Sequence, residues 1–321
     1  MVKLETTNFS KLYAFSFIVI GKNEGWKLTK CLDSIVSCVD KNNIISYEIL
    51  YIDSRSTDDS IKKAKKISNV KLFSITGKCN AAIARNIGGK EATGDILIFL
   101  DGDMELQSDF ISNIFNDNGD MIHPFISGMY CHWLYDSGWN LINKKVTPQI
   151  TDNYVRSNTG GFFVITKAFW NEIGGMDTRL TVNEDFDFGL KTTEKRVFVF
   201  LMAQVGINHH TIPYQNRIWG FITKSRYSAL LMRKHFFNKN YWKMSWRMNY
   251  TVMILFISLV SMTFFQYSYI FYLLVLFLRS MSKGIKHLPK RFVFLIIRDI
   301  VFLTALFCYY PTKVEISYKR L

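Results

Sequence analysis

Asp101, Gly102 and Asp103 close an unbroken apolar run, Ile96 to Leu100, that begins after a Gly94-Asp95 turn. Such a run reads as a fully buried strand of a parallel sheet, and open α/β sheets place ligands at the carboxyl ends of their strands. Two hard anionic ligands one residue apart beside a glycine suit Mg2+ or Mn2+ carrying phosphate. These ions keep few protein carboxylates and complete an octahedron with phosphate oxygens and water. The same residues also describe a solvated turn rich in Asp and Gly. Their neighbours along the chain decide between the two.

Around this strand the sequence alternates strand and helix. Tyr13 to Ile20 reads as a first strand followed by the loop Gly21 to Gly25. Trp26 to Val39 has the helical spacing of Leu28, Cys31, Leu32 and Ile35. Ile45 to Ile52 is a second strand ending at Asp53, and Ser60 to Ser68 a helix opened by Ser56, Thr57 and Asp58, of which Asp58 reads as a cap. Val70 to Ile75, Asn80 to Ala92 and Asp95 to Leu100 supply strand, helix and strand. Single helices between strands predict a mostly parallel, doubly wound sheet flanked by helices, with Glu24, Asp53 and Asp101 on one edge. Later strands are expected at Phe162 to Ile165 and Val197 to Ala203, flanking a helix at about 167–173.

The charge is divided unevenly. The chain of 321 residues carries +14, yet 195–298 holds sixteen Lys and Arg and no Asp or Glu, so the remaining 24 basic residues face 26 acidic ones, a balance of −2. A mildly acidic globular domain, 1–215, is thus joined to a basic region, 216–321. Basic residues interleaved with long apolar runs fit an anionic membrane surface better than nucleic acid. Tyr250 to Leu278 is uncharged for 29 residues, more than the ~20 a bilayer core requires. Clusters on both sides, including Arg233, Lys234, Arg279 and Lys283, put both ends in the cytoplasm by the positive-inside tendency. A re-entrant hairpin or interfacial element bending at Gln266 to Ser268 is therefore expected in place of a single span. Arg298 and Asp299 interrupt a further apolar run, where charge is unfavourable unless paired or facing protein. The start of the chain shows no signal-peptide pattern, which puts the catalytic domain on the cytoplasmic face of the membrane. Five cysteines without a CxxC pair read as reduced and unliganded, with no zinc expected.

In chain order the candidate residues are Lys22-Asn23-Glu24, Asp53 to Asp58, Ala84-Arg85-Asn86-Ile87-Gly88, Asp101-Gly102-Asp103, Gly160-Gly161, Gly174 to Asp177, and Asn183-Glu184-Asp185-Phe186-Asp187. This order resembles the family 2 glycosyltransferases of the GT-A (Rossmann-like) fold over about 12–210. The resemblance implies an enzyme that moves a sugar from a nucleotide-diphospho-sugar with inversion. Glu24 and Asp53 would contact base or ribose, and Arg85 the base or diphosphate. Asp103 would bind Mg2+ or Mn2+, with Asp101 nearer the ribose and Gly102 between them. The family often has a second Asp after the position of Asp53, where this chain has Ser54, which leaves the base open among uracil, guanine and thymine. Asp185 would be the general base on the acceptor hydroxyl, with Glu184 second, although Asn183 followed by acids equally describes a helix N-terminus. A metal-shell histidine is implied at His209 or His210, with His210 preferred. Gln215, Arg217 and Trp219 depart from the Gln-x-x-Arg-Trp spacing of processive polysaccharide synthases and read as a lid or membrane-proximal segment.

The expected acceptor is a lipid-linked saccharide of cell-surface polysaccharide synthesis, because C-terminal membrane-associated helices would hold the catalytic domain beside a polyprenyl diphosphate. Transfer to bare polyprenyl phosphate is the alternative. Tyr130, His132, Trp133, Tyr135, Trp139 and Tyr154 fit a sugar-stacking groove and core packing equally well. A nucleotidyltransferase shares the metal demand, but Gly21 to Gly25 lacks the glycine-rich basic phosphate loop it would need. A nonenzymatic binder gives no reason for acids at several strand ends.

Overall fold

The computed structural model describes residues 12–213, 218–282, 284 and 288–321, without the side chains of 218, 219, 221 and 223. The lid expectation for Gln215, Arg217 and the Trp219 side chain lies outside the described residues. The chain forms two compact units, Met1–Tyr214 with Lys313–Leu321, and Gln215–Thr312.

The first unit is built on strands β1 (Phe15–Gly21), β2 (Tyr47–Asp53), β3 (Val70–Ile75) and β4 (Ile96–Asp101), all parallel, in the order β3-β2-β1-β4. Helices α1 (Trp26–Lys41), α2 (Ser60–Ala64) and α3 (Ala81–Glu91) connect them. Side chains of β1 alternate between two cores. Phe15, Phe17 and Val19 pack with Leu28, Leu32 and Ile35 of α1, whereas Ile18 and Ile20 pack with Ile83 and Ile87 of α3. Burial on both faces is why these strands read as continuous apolar runs.

Beyond β4 the sheet becomes mixed. β5 (Met104–Leu106), β6 (Phe125–Tyr135), β7 (Leu141–Thr147), β8 (Tyr154–Arg156), β9 (Phe163–Thr166), β10 (Val199–Thr211) and β11 (Tyr318–Arg320) bring the sheet to eleven strands among the described residues. β9 lies antiparallel to both β4 and β6, β10 runs parallel to β6, and β11 returns antiparallel to β3. The expected mostly parallel sheet is therefore corrected to a mixed one. Its second half is paired by strands such as β7, largely exposed, which carry no buried apolar run to announce them. Helices α4 (Ser108–Ser112), α5 (Lys167–Ile173) and α6 (Glu184–Glu194) complete this unit. The last nine residues, assigned from sequence to the basic region, belong to it.

The described residues of the second unit form helices α7 (Ile218–Lys234), α8 (Lys239–Ser261), α9 (Ser268–Met281) and α10 (Leu288–Cys308). α8 and α9 form a hairpin whose bend precedes Ser268, as expected, and Leu255, Tyr272, Leu276 and Leu295 form its core. Arg298 and Asp299 are buried and paired. Thr251 Oγ1 accepts from Arg298 and Arg279 at 2.8 and 2.9 Å, and the Tyr272 hydroxyl reaches Asp299 at 3.3 Å. Among the described residues no helix is long and apolar enough to cross a membrane.

Candidate active site

Four segments converge at the carboxyl edge of the parallel strands. The loops after β1 and β2 brace each other. Asn23 N–H donates to Ser56 Oγ at 2.9 Å, and Thr57 N–H to Asn23 Oδ1 at 2.7 Å. Glu24 and Gly25 N–H both donate to Ser60 Oγ. Asp58 accepts from Ser60 N–H at 3.0 Å, but the N-cap position of α2 is Asp59, so Asp58 braces the turn ahead of the helix and is not the cap expected from sequence. Glu24, Ser54, Asn80, Asp101, Asp103 and His209 line a cleft of about 350 Å³ at this edge.

Asp53 does not open on the cleft. It is fully buried, with one carboxylate oxygen accepting from Ser56 N–H at 3.0 Å and the other from the Tyr51 hydroxyl at 3.3 Å. The carboxylate shapes the loop, and Ser54 lines the cleft in its place.

Arg85, on α3, is 2% exposed and spans two carboxylates, donating to Asp101 Oδ1 at 2.7 Å and Glu184 Oε1 at 3.1 Å. Burial works against its charge, but Asp101, Glu184 and Asp185 more than offset this and raise its pKa. The fork thereby ties the end of β4 to the first turn of α6, and only a planar multidonor cation fits both at once. Burial raises the pKa of Asp101, against the pull of Arg85 and with the push of Asp103. Gly161 passes so close that an added Cβ would lie 2.3 Å from Asp101 Oδ2. Gly102 likewise faces Glu24, whose Cγ would lie 2.9 Å from a Cβ there.

Glu184 and Asp185 differ in their partners. Glu184 is held by Arg85, and burial raises its pKa, with Arg85 opposing and Asp185 adding. Asp185 is half-buried, and among the described residues no hydrogen bond holds its carboxylate. Asn183 precedes them at φ 65°, without a side-chain cap. The approach to this turn is fixed from α3, where Asn86 bonds both N–H and C=O of Met176 at 2.8 Å.

The two histidines separate. β10 runs on to Thr211, past the expected end at Ala203, because its later residues pair with β6 from Val205↔Met129 to Thr211↔Leu134. Adjacent residues of a strand point to opposite faces. His209 Nε2 lies 3.4 Å from Asp103 Oδ2, with His132 Nδ1 at 2.9 Å from its other nitrogen. His210, the one preferred from sequence, is fully buried with both ring nitrogens engaged, Nδ1 to the Tyr135 hydroxyl and Nε2 to Glu105 Oε1, each at 2.7 Å. That hydrogen bond is the largest cause that brings the Glu105 pKa down to about 2.

Asp103 is mostly buried, and burial alone would raise its pKa. His209 and Lys27 outweigh this and lower it. Its Oδ1 is buried without a partner among the described residues. No three His, Cys, Asp or Glu side chains converge as a metal cage among the described residues. An orphaned carboxylate oxygen beside an imidazole nitrogen nevertheless fits a hard divalent ion that draws its remaining ligands from phosphate and water.

Sequence reasoning missed Lys27, and it placed His132 only among the residues of a possible aromatic groove. The three-residue spacing of Glu24, in the loop before α1, and Lys27, in its first turn, was a usable signal. His132 had none, since only the β6–β10 register brings it to His209. Of the expected aromatic groove, Tyr130 accepts from Phe162 N–H at 2.7 Å, and Tyr135 packs with Trp26, Trp139 and His210. Trp139 and Tyr154 are the exposed members.

Residues 16–120 match the profile of Glycosyl transferase family 2. A Haemophilus influenzae protein named an uncharacterized glycosyltransferase is 25% identical over 195 residues, covering 57% of this chain and 63% of that protein. A second of the same name and organism is 40% identical over 83 residues, 25% of this chain and 31% of its own. The chain thus spans less than two thirds of the length of either relative. Among solved structures, S. aureus TarS 1-349 in complex with UDP-GlcNAc has a TM-score of 0.53 at 13% identity, covering 92% of this chain and 91% of that one. GalNAc-T7 with UDP, GalNAc and Mn2+ has a TM-score of 0.50 at 19% identity, covering 62% and 43%. At these identities the structures establish a shared fold. Residues 16–120 thus resemble glycosyltransferase family 2, and the chain shares its fold with TarS and GalNAc-T7.

Proposed function

We propose that the protein is an inverting, metal-dependent glycosyltransferase that uses a nucleotide-diphospho-sugar, a UDP-sugar first among them. The observation that carries this reading is Asp103, its Oδ1 orphaned and its Oδ2 facing His209, at the end of the strand whose Asp101 is tied through Arg85 to the Glu184-Asp185 turn. Asp103 and His209 would hold Mg2+ or Mn2+, which supplies positive charge to a departing nucleoside diphosphate. Glu24 and Ser54 would face the nucleoside from the cleft wall. Asp185, the carboxylate of the pair that Arg85 leaves free, takes the proton of the acceptor hydroxyl as it attacks the anomeric carbon. Supporting UDP, two fold relatives are described with UDP or a UDP-sugar.

The acceptor in this reading is a lipid-linked saccharide at the cytoplasmic face of a membrane. Its support is the second unit, whose hairpin exposes Phe264 at 84% and Phe265 at 73% within a segment free of acidic residues from 195 to 298. Apolar side chains beside a cationic excess match an anionic lipid surface.

A thermal-shift screen of UDP-, GDP- and dTDP-sugars with and without Mn2+ tests the donor, because a ligand that binds only the folded state stabilises it by mass action. UDP-sugars are expected to raise the midpoint, and more so with Mn2+. The bound donor is then offered vesicles carrying either a polyprenyl-diphosphate saccharide or bare polyprenyl phosphate. Transfer to the saccharide is expected; transfer only to the bare phosphate reassigns the acceptor, and no shift with any nucleotide sugar contradicts the whole reading.

A further inference from the structure

Lys27 is the second residue of α1, and its ammonium enters the acidic cluster from the loop side. Nζ lies 2.6 Å from Glu24 Oε2 and 3.7 Å from Asp103 Oδ2, and the side chain is only 12% exposed. The same ammonium lies 5.2 Å from the Trp139 ring centroid, within cation–π reach. It therefore sits between two carboxylates that repel each other, beside the oxygen that faces His209.

We propose that Lys27 is an internal counter-ion that holds Glu24 and Asp103 together in the metal-free site and competes with a divalent cation for Asp103. The inference rests on the reading of Asp103 as a metal ligand. A monovalent and a divalent cation within a few ångströms repel strongly in a partly desolvated cleft, so the two cannot share the carboxylate on equal terms. Admission of the ion requires Lys27 to withdraw from Asp103. Glu24 and the Trp139 face keep it nearby, and from there it can donate to a bound diphosphate. The arrangement gives this chain a metal affinity set by a residue that is not itself a ligand.

Mn2+ binding without nucleotide, followed by electron paramagnetic resonance up to millimolar Mn2+, tests this in the full chain. Lys27→Met and Lys27→Gln are expected to bind Mn2+ at least ~10-fold more tightly than the wild type, and Lys27→Arg to match the wild type. The metal-free Met and Gln variants are also expected to melt at lower temperature and to regain the difference when Mn2+ is added. Affinities of both neutral variants within about twofold of wild type, or no binding by either at millimolar Mn2+, overturn the proposal. Asp103→Asn serves as the separate control. If it loses Mn2+ while the Lys27 variants match the wild type, only the counter-ion role falls. If it binds Mn2+ as the wild type does, the metal reading of Asp103 falls with it.

Discussion

Arg85 organises the site more than any other single side chain. It is nearly fully buried, its two terminal nitrogens reach acids on two different elements, and its Nε has no partner among the described residues. Removing one partner of a buried ion network leaves uncompensated charge, here softened because the Asp101 side chain stays 34% exposed. Arg85→Met is expected to cost about 3 kcal/mol in urea unfolding, and a change below ~0.5 kcal/mol contradicts the bridging role. At this scale the types and order of the residues were legible, while their accessibility was not. Asp53 looked like an open ligand and is a buried loop brace. His210 was preferred over His209, and only the length of β10 reverses that order, because a strand sends neighbours to opposite faces.

Among the elements, the parallel strands were legible to within one or two residues, since burial on both faces leaves an uninterrupted apolar signal. In the second half β9 was legible to within one residue and the start of β10 to within two, but the other strands were not, because β6 is buried only in its first part, β7 is largely exposed and β11 has three residues. Register there is set by partners far along the chain. Glu48 shows how the parallel half is joined at its other edge. It accepts from Ser16 Oγ on β1 at 2.6 Å, Lys71 Nζ on β3 at 2.5 Å, and Thr93 N–H and Oγ1 ahead of β4 at 2.6 and 2.8 Å. Burial opposes its ionisation, but these donors outweigh burial and lower its pKa from 4.5 to about 2. The unfolded chain takes up this proton near pH 4.5 and the folded protein only near pH 2, so the stabilisation is complete above about 4.5 and is lost as the pH falls toward 2. Its size is about 3 kcal/mol. Glu48→Gln is expected to flatten the decline in melting temperature between those limits; an unchanged acid profile contradicts the assignment.

For the molecule as a whole, charge and burial divide the labour between two units. The first carries the family 2 match and the acidic cleft. The second carries exposed apolar helices and a buried Arg298-Asp299 pair, so the charge that interrupts its last apolar run is neutralised inside the unit. The stretch without acids runs over 195–298, whereas the second unit runs over Gln215–Thr312, so charge alone does not mark the boundary. Lys313–Leu321 return to the first unit, where Val314, Ile316 and Tyr318 alternate with polar residues and pack on its core. The central claim is that the cleft transfers a sugar with Asp185 as base, and it is tested most directly by the turnover of wild-type and Asp185→Asn full-length protein on a UDP-sugar with Mn2+ and acceptor vesicles. Loss of the base predicts a fall in turnover of at least ~100-fold with donor affinity held within about threefold. Turnover of Asp185→Asn within a few fold of wild type would contradict it.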